Sequence, residues 1–146
     1  MSDRSGILFV DDERENVQGI ADILREALEE KVVVVSTVEE AVECLLGHRW
    51  SLVVMDLFIP LGLHPERVLG PRATRYQEQV DHLGGLVLLE EIERMVDPPP
   101  VVSHTACTDH VLLELFGDHV VRRIPKPAPM DTVLSNIMDI LRPRTF

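Results

Sequence analysis

Short apolar runs rich in β-branched residues alternate with helical patterns along almost the whole chain, and this alternation limits the fold more than any other feature. The apolar runs are residues 6–10, 31–36, 51–57, 101–105 and 119–124. Apolar residues recur at helical spacing in 14–30, 37–47, 86–96, 109–116 and 131–141. This alternation predicts βαβ units, and hence an α/β fold with a five-stranded parallel sheet that is buried on both faces. At 146 residues, we expect a single domain spanning 1–146.

A long interval breaks the alternation between the third strand and the third helix. Connections at such a point usually take about 2–6 residues, whereas here residues 61–84 intervene. Thr74 is a candidate cap for a short helix within this insertion, with Gly84 at its end. Intervals this long are usually functional or disordered, so two interpretations stay open: a lid or partner-docking element, or a solvated, mobile loop. The candidate docking patch within it is Arg67, Arg72, Arg75 and Tyr76.

The charge balance restricts the partners. The chain has 14 basic and 25 acidic residues, a net charge of −11, which repels nucleic acid and anionic membrane surfaces. No apolar run approaches the roughly 20 residues needed to span a bilayer, and the first residues lack a long apolar signal core. We therefore expect a cytoplasmic protein without nucleic acid or membrane partners. Cys44 and Cys107 are too few for a disulfide framework and are interpreted as reduced thiols.

Polar residues follow the predicted strands at the points where the strands end. Asp11 and Asp12 follow the first strand, Asp56 lies at the end of the third, Thr105 ends the fourth and Lys126 follows the fifth. In an open α/β sheet the carboxyl ends of the strands meet at one edge, where ligands bind. Three carboxylates placed together repel one another unless a cation lies among them, and Mg²⁺ prefers oxygen ligands. The lysine and the threonine hydroxyl would suit a phosphoryl group at the same edge.

Four motifs in this order resemble the receiver domain of two-component response regulators. They are "VDDE" at 10–13, "MDLFIP" at 55–60, "HTA" at 104–106 and "PKP" at 125–127. Each motif alone is weak, but the four together fall on the expected strand ends and span nearly the whole chain. The resemblance implies a doubly wound, flavodoxin-like fold with strand order 2-1-3-4-5 and helices on both faces of the sheet. It also makes Gly85 the glycine that ordinarily follows the acceptor loop directly, which places the insertion at 61–84.

The resemblance implies a role for each residue of the site. Asp56 would be the phospho-acceptor, which takes a phosphoryl group from a phosphohistidine and forms an acyl phosphate. Lys126 and Thr105 would contact the phosphoryl oxygens, the small Ala106 would leave room for the donor, and the bond from Lys126 to Pro127 would be cis. The implied Mg²⁺ ligands are Asp12 and Asp56 directly, Asp11 through water, and the backbone carbonyl of Phe58.

Two residues depart from the usual pattern of the family. Receivers usually carry Tyr or Phe three residues before the lysine, at the position of Arg123 here. A guanidinium cannot be buried as a phenyl ring is, so we expect Arg123 either to pair with an acid or to belong to a rewired output face. Phe58 stands where many receivers have a polar residue, and we hypothesise that its ring shields the acyl phosphate from water.

The leading functional interpretation is a signalling module rather than an enzyme. Its implied partners are a sensor histidine kinase or phosphotransfer protein and a downstream protein target; homodimerisation is a further option that the sequence leaves open. The alternative is a pseudo-receiver that acts as an unphosphorylated scaffold. A phosphatase or phosphotransferase on small molecules is disfavoured, because no acid lies two places after Asp56. A zinc site from His104, Cys107 and His110 is disfavoured because the spacing is loose.

Overall fold

The predicted alternation of strands and helices is present throughout the computed structural model, which describes residues 4–80, 83–117 and 120–142. None of the helices in these ranges combines the length and apolar character that crossing a bilayer requires. The strands are β1 (Ile7–Val10), β2 (Val32–Val35), β3 (Leu52–Met55), β4 (Val101–Thr105) and β5 (Arg122–Pro125). The helices are α1 (Arg14–Leu28), α2 (Val38–Gly47), α3 (Glu66–Leu69), α4 (Arg72–Val80), α5 (Gly84–Glu93), α6 (His110–Gly117) and α7 (Met130–Leu141).

The strands form a single five-stranded parallel sheet in the order β2-β1-β3-β4-β5. This confirms the expected α/β fold and its strand order. Val10 pairs with Val35 on one side and with Met55 on the other, so β1, β2 and β3 end side by side. Asp11 and Asp56, which come next in the chain, are therefore neighbours at the carboxyl edge of the sheet.

The core lies on both faces of the sheet, because side chains of a strand alternate between faces. Leu8, Val10 and Met55 point toward α2 and α5, whereas Ile7 and Phe9 point toward α1 and α7. All of these strand side chains are at most 1% exposed. Burial on both faces explains why the strands are continuous apolar runs rather than alternating ones.

The insertion adds helices α3 and α4 to the α2 and α5 side of the sheet. Its buried side chains join the core on that side, and its first residues are fixed to α2, because the amides of Val38 and Glu39 donate to the carbonyls of Pro60 and Leu61 at 3.0 and 2.9 Å. The interval is thus a packed element of the fold. The side chains that bury it are Leu61, Leu69, Ala73 and Tyr76.

The boundaries within the insertion differ from those expected. Thr74 does not cap a helix; it is an exposed residue inside α4, which begins at Arg72. The reason is the Gly70-Pro71 pair: Gly70 has φ +62°, which stops α3, and a proline favours the start of the next helix.

Gly84 begins α5 rather than ending the preceding helix. The amides of Gly84 and Gly85 donate to the carbonyls of Ile59 and Leu57 at 2.9 and 3.0 Å. A Cβ on Gly85 would lie 2.5 Å from the Leu57 Cα, so only glycine permits this close approach. The N-terminus of α5 is thereby held against the loop that carries Asp56.

The expected fifth strand, 119–124, is shorter and shifted in the structure. Position 119 lies outside the described residues, and β5 covers Arg122–Pro125. Val121 still donates its amide to the carbonyl of Val101 at 2.8 Å, so pairing with β4 begins just before the strand proper.

Candidate functional site

Lys126 lies between two buried carboxylates at the carboxyl edge of the sheet. Its Nζ is 2.7 Å from Asp11 Oδ2 and 3.0 Å from Asp56 Oδ2. Asp11 is 3% exposed and Asp56 is 5% exposed. The three residues follow β1, β3 and β5, and the long lysine side chain reaches across the end of β4. The structure therefore brings together three residues that the sequence predicted to converge.

The backbone fixes the orientation of both carboxylates. The amide of Glu13 donates to Asp11 Oδ1 at 2.9 Å, and the amide of Phe58 donates to Asp56 Oδ1 at 3.2 Å. In each carboxylate one oxygen is held by the main chain and the other by the ammonium group. Asp56 thus has a fixed position before any ligand arrives, which is what a reacting group requires.

Asp12 completes an acidic cluster that is rich in oxygen ligands. Asp11, Asp12 and Asp56 each offer a carboxylate oxygen, and these atoms all lie within 4.8 Å of one another. The pKa of Asp12 is raised by partial burial and then by the charges of Asp11, Asp56 and Glu13. Burial alone would lower the pKa of Lys126, but hydrogen bonds to Asp11 and Asp56 and their charges outweigh it and raise the pKa.

One ammonium group facing three carboxylates leaves this edge short of positive charge. A hard divalent cation with oxygen ligands fits such a donor set, since it would relieve the repulsion that raises the pKa of Asp12. The residues present therefore fit Mg²⁺. The carbonyl of Phe58 as a further ligand remains a prediction.

Thr105 and Ala106 lie at the end of β4, beside this cluster. The Thr105 hydroxyl is on a residue that is only 6% exposed, and its Oγ1 accepts from the amide of Cys107 at 3.3 Å. The Thr105 carbonyl accepts from the amide of Lys126 at 3.0 Å, which ties the ends of β4 and β5 together. Ala106 is exposed, and the Lys126-Pro127 peptide bond is cis, as the resemblance implied.

Three of the four residues of the insertion patch, Arg72, Arg75 and Tyr76, lie in a different cluster on the flank formed by α4 and α5. Glu91, whose side chain is 9% exposed, accepts from Arg72 Nη2 at 2.6 Å and from the Tyr76 hydroxyl at 3.2 Å. The hydrogen bond to Glu91 is also the main cause that raises the pKa of Arg72. Arg75 Nη2 lies 3.8 Å from Glu90 Oε1. Of the three arginines in the predicted patch, only Arg67, which is exposed, has no ion pair among the described residues.

Three other sequence candidates lie outside the acidic cluster. Arg123 is exposed and has no carboxylate partner in the part of the chain that the structure describes. Phe58 is 41% exposed next to Asp56. His104 is buried and its Nδ1 lies 2.9 Å from the carbonyl of Ile124; among the described residues, the acidic cluster is the only group with metal-ligand geometry, so the disfavoured zinc site is absent there.

Sequence reasoning missed the partner of the insertion. The adjacent acids Glu90 and Glu91 lie on α5, and their pairing with Arg72 and Arg75 depends on how α4 packs against α5. The only local signal was a pair of acids on a largely apolar helix.

The fold is that of response regulator receiver domains. A two-component response regulator from Clostridium difficile is 16% identical, with 94% of this chain and 96% of that chain covered and a TM-score of 0.71. The signal receiver domain of an HD domain-containing protein from Pseudomonas fluorescens is 19% identical, with 97% and 89% covered and a TM-score of 0.70. A BeF3-activated DrrB receiver domain is 16% identical, with 94% and 97% covered and a TM-score of 0.68.

At these identities the likeness establishes the fold. No protein-family model matches the sequence, and no curated protein matches it either.

Proposed function

We propose that this protein is a phosphoryl-accepting receiver of a two-component pathway, with Asp56 as the acceptor. The observation that carries the proposal is the position of Asp56 Oδ2, 3.0 Å from Lys126 Nζ on a carboxylate whose other oxygen is held by the main chain. Likeness in fold to response regulators supports the same role.

The proposed step is a transfer from a phosphohistidine of a sensor kinase or phosphotransfer protein. A carboxylate oxygen of Asp56 forms the new bond to phosphorus, the bond from phosphorus to the histidine nitrogen breaks, and that nitrogen keeps the electron pair. Lys126 neutralises charge on the transferred group, and the Thr105 hydroxyl donates a hydrogen bond to one of its oxygens. Ala106, which is small and exposed, leaves the approach open.

Mg²⁺ would be held by Asp12 and Asp56, with Asp11 beside them, and when bound it supplies positive charge for the phosphoryl oxygens. The need for a cation beside the acidic cluster is greatest when the phosphoryl group adds its own negative charge. Holding the acceptor rigid before transfer is the contribution of Asp11, Lys126 and the two backbone amides.

In this proposal the protein is a signalling component whose output is contact with a downstream protein, and it does not turn over free substrates. The scaffold alternative rested on Arg123 and the insertion, and both lie outside the acidic cluster. The complete set of acceptor, acids, lysine and threonine therefore favours phosphorylation over a purely structural role.

The test is a phosphorylation assay with a small donor. We expect incubation with Mg²⁺ and acetyl phosphate or phosphoramidate to add the mass of one phosphoryl group to the intact protein, and Asp56→Asn to abolish the gain. Beryllofluoride is a suitable second probe, since the similar DrrB receiver domain is described as BeF3-activated. Amide NMR shifts around Asp56 should appear with it.

Asp22→Asn is the matched control, because Asp22 is an exposed acid on α1 that pairs with Arg25. It should be phosphorylated like the natural chain. Absence of modification by every donor, or a gain in mass that survives Asp56→Asn, would reject the proposal. Steady hydrolysis of assorted phosphate esters would instead indicate an enzyme.

A further inference from the structure

A cavity of about 180 Å³ lies beside the acidic cluster, between the sheet and α6. Its lining includes Ser103, Thr105, Cys107, Leu113, Arg123 and Pro125. Ser103 pairs with Arg123 and Thr105 pairs with Pro125 across β4 and β5. Because alternate residues of a strand share a face, these four side chains are on the same face of the sheet.

Ser103 adds a hydroxyl to the lining of the cavity. The residue is 2% exposed and lines the cavity. A serine hydroxyl can both donate and accept a hydrogen bond. It can therefore serve a polar group inside the cavity.

Arg123 lines the same cavity, whereas the adjacent Arg122 does not. Arg122 faces the other way, where it lies 3.0 Å from Asp139 and 3.1 Å from the Asn136 side-chain oxygen. Arg123 has no such partner among the described residues and lines the cavity. In a chain with a net charge of −11, an arginine without a carboxylate partner provides a local attraction for an anion.

The other lining residues and the volume of the cavity indicate what kind of ligand it could hold. Leu113, Pro125 and Cys107 contribute apolar atoms, so an occupant needs an apolar part as well as a charge. A volume of about 180 Å³ is below the roughly 300–1,000 Å³ of sites for drug-sized ligands, so the occupant has only a few heavy atoms. Guanidinium groups match carboxylates by paired hydrogen bonds, and a hydroxyl can complete the set.

We propose that this cavity is a binding site for a small organic monocarboxylate. Arg123 holds the carboxylate, the Ser103 hydroxyl donates to it, and Leu113 and Pro125 cover the hydrocarbon part. The site adjoins Thr105 on the same face, so an occupant lies next to the hydroxyl that the proposed phosphoryl site uses.

The experiment is an amide NMR titration of the full chain with sodium butyrate. Butyramide, which is neutral, and butylammonium, which is cationic, are probes of similar size. We expect saturable shifts at Ser103, Leu113 and Arg123 with butyrate, and binding at least about tenfold weaker for the other two probes, as loss of a charge-assisted hydrogen-bond pair implies. This comparison uses only the natural chain, so it does not depend on whether a variant folds.

Substitutions then locate the carboxylate. Arg123→Met should weaken butyrate binding by about tenfold, and Ser103→Ala by a smaller factor. Arg122→Met is the matched control, since it removes the same charge from the adjacent position on the other face. It should change the affinity by no more than about twofold, because the Arg122 guanidinium is on the opposite face of the sheet and already pairs with Asp139.

The proposal is overturned if butyrate causes no saturable shift, if butyramide binds as well as butyrate, or if Arg122→Met and Arg123→Met weaken binding equally. Binding should be unchanged in Asp56→Asn. The carboxylate site can therefore be rejected while the phosphorylation of Asp56 is confirmed, and the phosphorylation can be rejected while the carboxylate site is confirmed.

Discussion

Two clusters of charged residues contain largely buried carboxylates, and they differ in how many cations lie close to those carboxylates. At the carboxyl edge of the sheet, Lys126 is the one cation among the described residues that pairs with Asp11 and Asp56, and burial together with the neighbouring acids raises the pKa of Asp12. On the flank between α4 and α5, Glu91 is met by Arg72 and by the Tyr76 hydroxyl.

Arg94 adds a second guanidinium at the flank, with its Nε 3.6 Å from Glu91 Oε2. At this flank Glu90 and Glu91 each have a guanidinium close by. At the sheet edge one described ammonium group lies near three carboxylates, and a bound cation would relieve this imbalance. The contrast distinguishes a cluster that fits a metal ion from one that attaches the insertion.

The largest effect should follow from removing the cation at the sheet edge. Lys126→Met leaves the buried carboxylates of Asp11 and Asp56 without their cation, so at neutral pH and without Mg²⁺ we expect the free energy of unfolding to fall by about 3 kcal/mol. The raised pKa of Lys126 means that its stabilisation is present below 10.5 and is lost only as the pH rises through the value in the folded protein.

Denaturant unfolding measures this loss, and added Mg²⁺ should restore part of it. Lys31→Met is the control. Lys31 directly precedes β2, at the end of the sheet opposite the acidic cluster, and its ammonium group lies over the Trp50 ring rather than between carboxylates. If both variants lose the same free energy of unfolding, the position of Lys126 between two carboxylates has no special effect on stability and the prediction is wrong.

Removing the central carboxylate of the flank should have an intermediate effect. Glu91→Gln deprives Arg72 and Arg94 of their shared partner, but their side chains are 39% and 50% exposed and can be hydrated. We expect the free energy of unfolding to fall by about 1–2 kcal/mol. The phosphorylation of Asp56 and the response to Mg²⁺ should be unchanged.

Glu26→Gln, at an exposed position of α1, is the matched control for Glu91→Gln and should have almost no effect. If Glu91→Gln instead abolished phosphorylation, the two clusters would be coupled and the contrast drawn between them would be wrong.

A smaller effect of the opposite sign is expected for Asp12→Asn. The pKa of Asp12 is raised above 3.8, so the folded protein binds this proton more tightly than the unfolded chain. Ionised Asp12 therefore destabilises the fold, and this cost appears as the pH rises through the raised pKa. Without Mg²⁺ the variant should be slightly more stable at neutral pH, by less than about 1 kcal/mol because Asp12 is exposed.

Thermal unfolding with and without Mg²⁺ checks both parts of this prediction. The midpoint of the natural chain should rise with Mg²⁺ and that of Asp12→Asn should rise much less. The idea fails if the variant loses stability in the absence of the metal and gains as much as the natural chain in its presence.

The smallest effect concerns the lifetime of the acyl phosphate. If the Phe58 ring, 41% exposed beside Asp56, shields the phosphoryl group from water, Phe58→Asn should speed dephosphorylation by a few-fold. Leu63→Asn is the control on the insertion, since Leu63 is 92% exposed. Loss of phosphate from the purified, phosphorylated protein over time gives both rates, and equal rates would remove the shielding role.

Local patterns predicted the fold and the acidic cluster well. Runs such as 51–57 marked strands buried on both faces, and the rule for strand ends placed Asp11, Asp56 and Lys126 together. The insertion was harder, because Thr74 had the chemistry of a cap while the Gly70-Pro71 pair held the true boundary. When two local patterns of similar strength both predict the start of a helix, only the packing of the folded chain decides which start is used.

What the sequence determined by itself was the alternation of strands and helices and the set of polar residues at the strand ends, since both depend on spacing along the chain. Only the tertiary structure decided that Arg72 and Tyr76 bind Glu91, and that Ser103 and Arg123 share a cavity while Arg122 turns to Asp139. These pairings depend on strand register and helix packing between distant segments. A shift of one residue in that register would have placed the other arginine in the cavity.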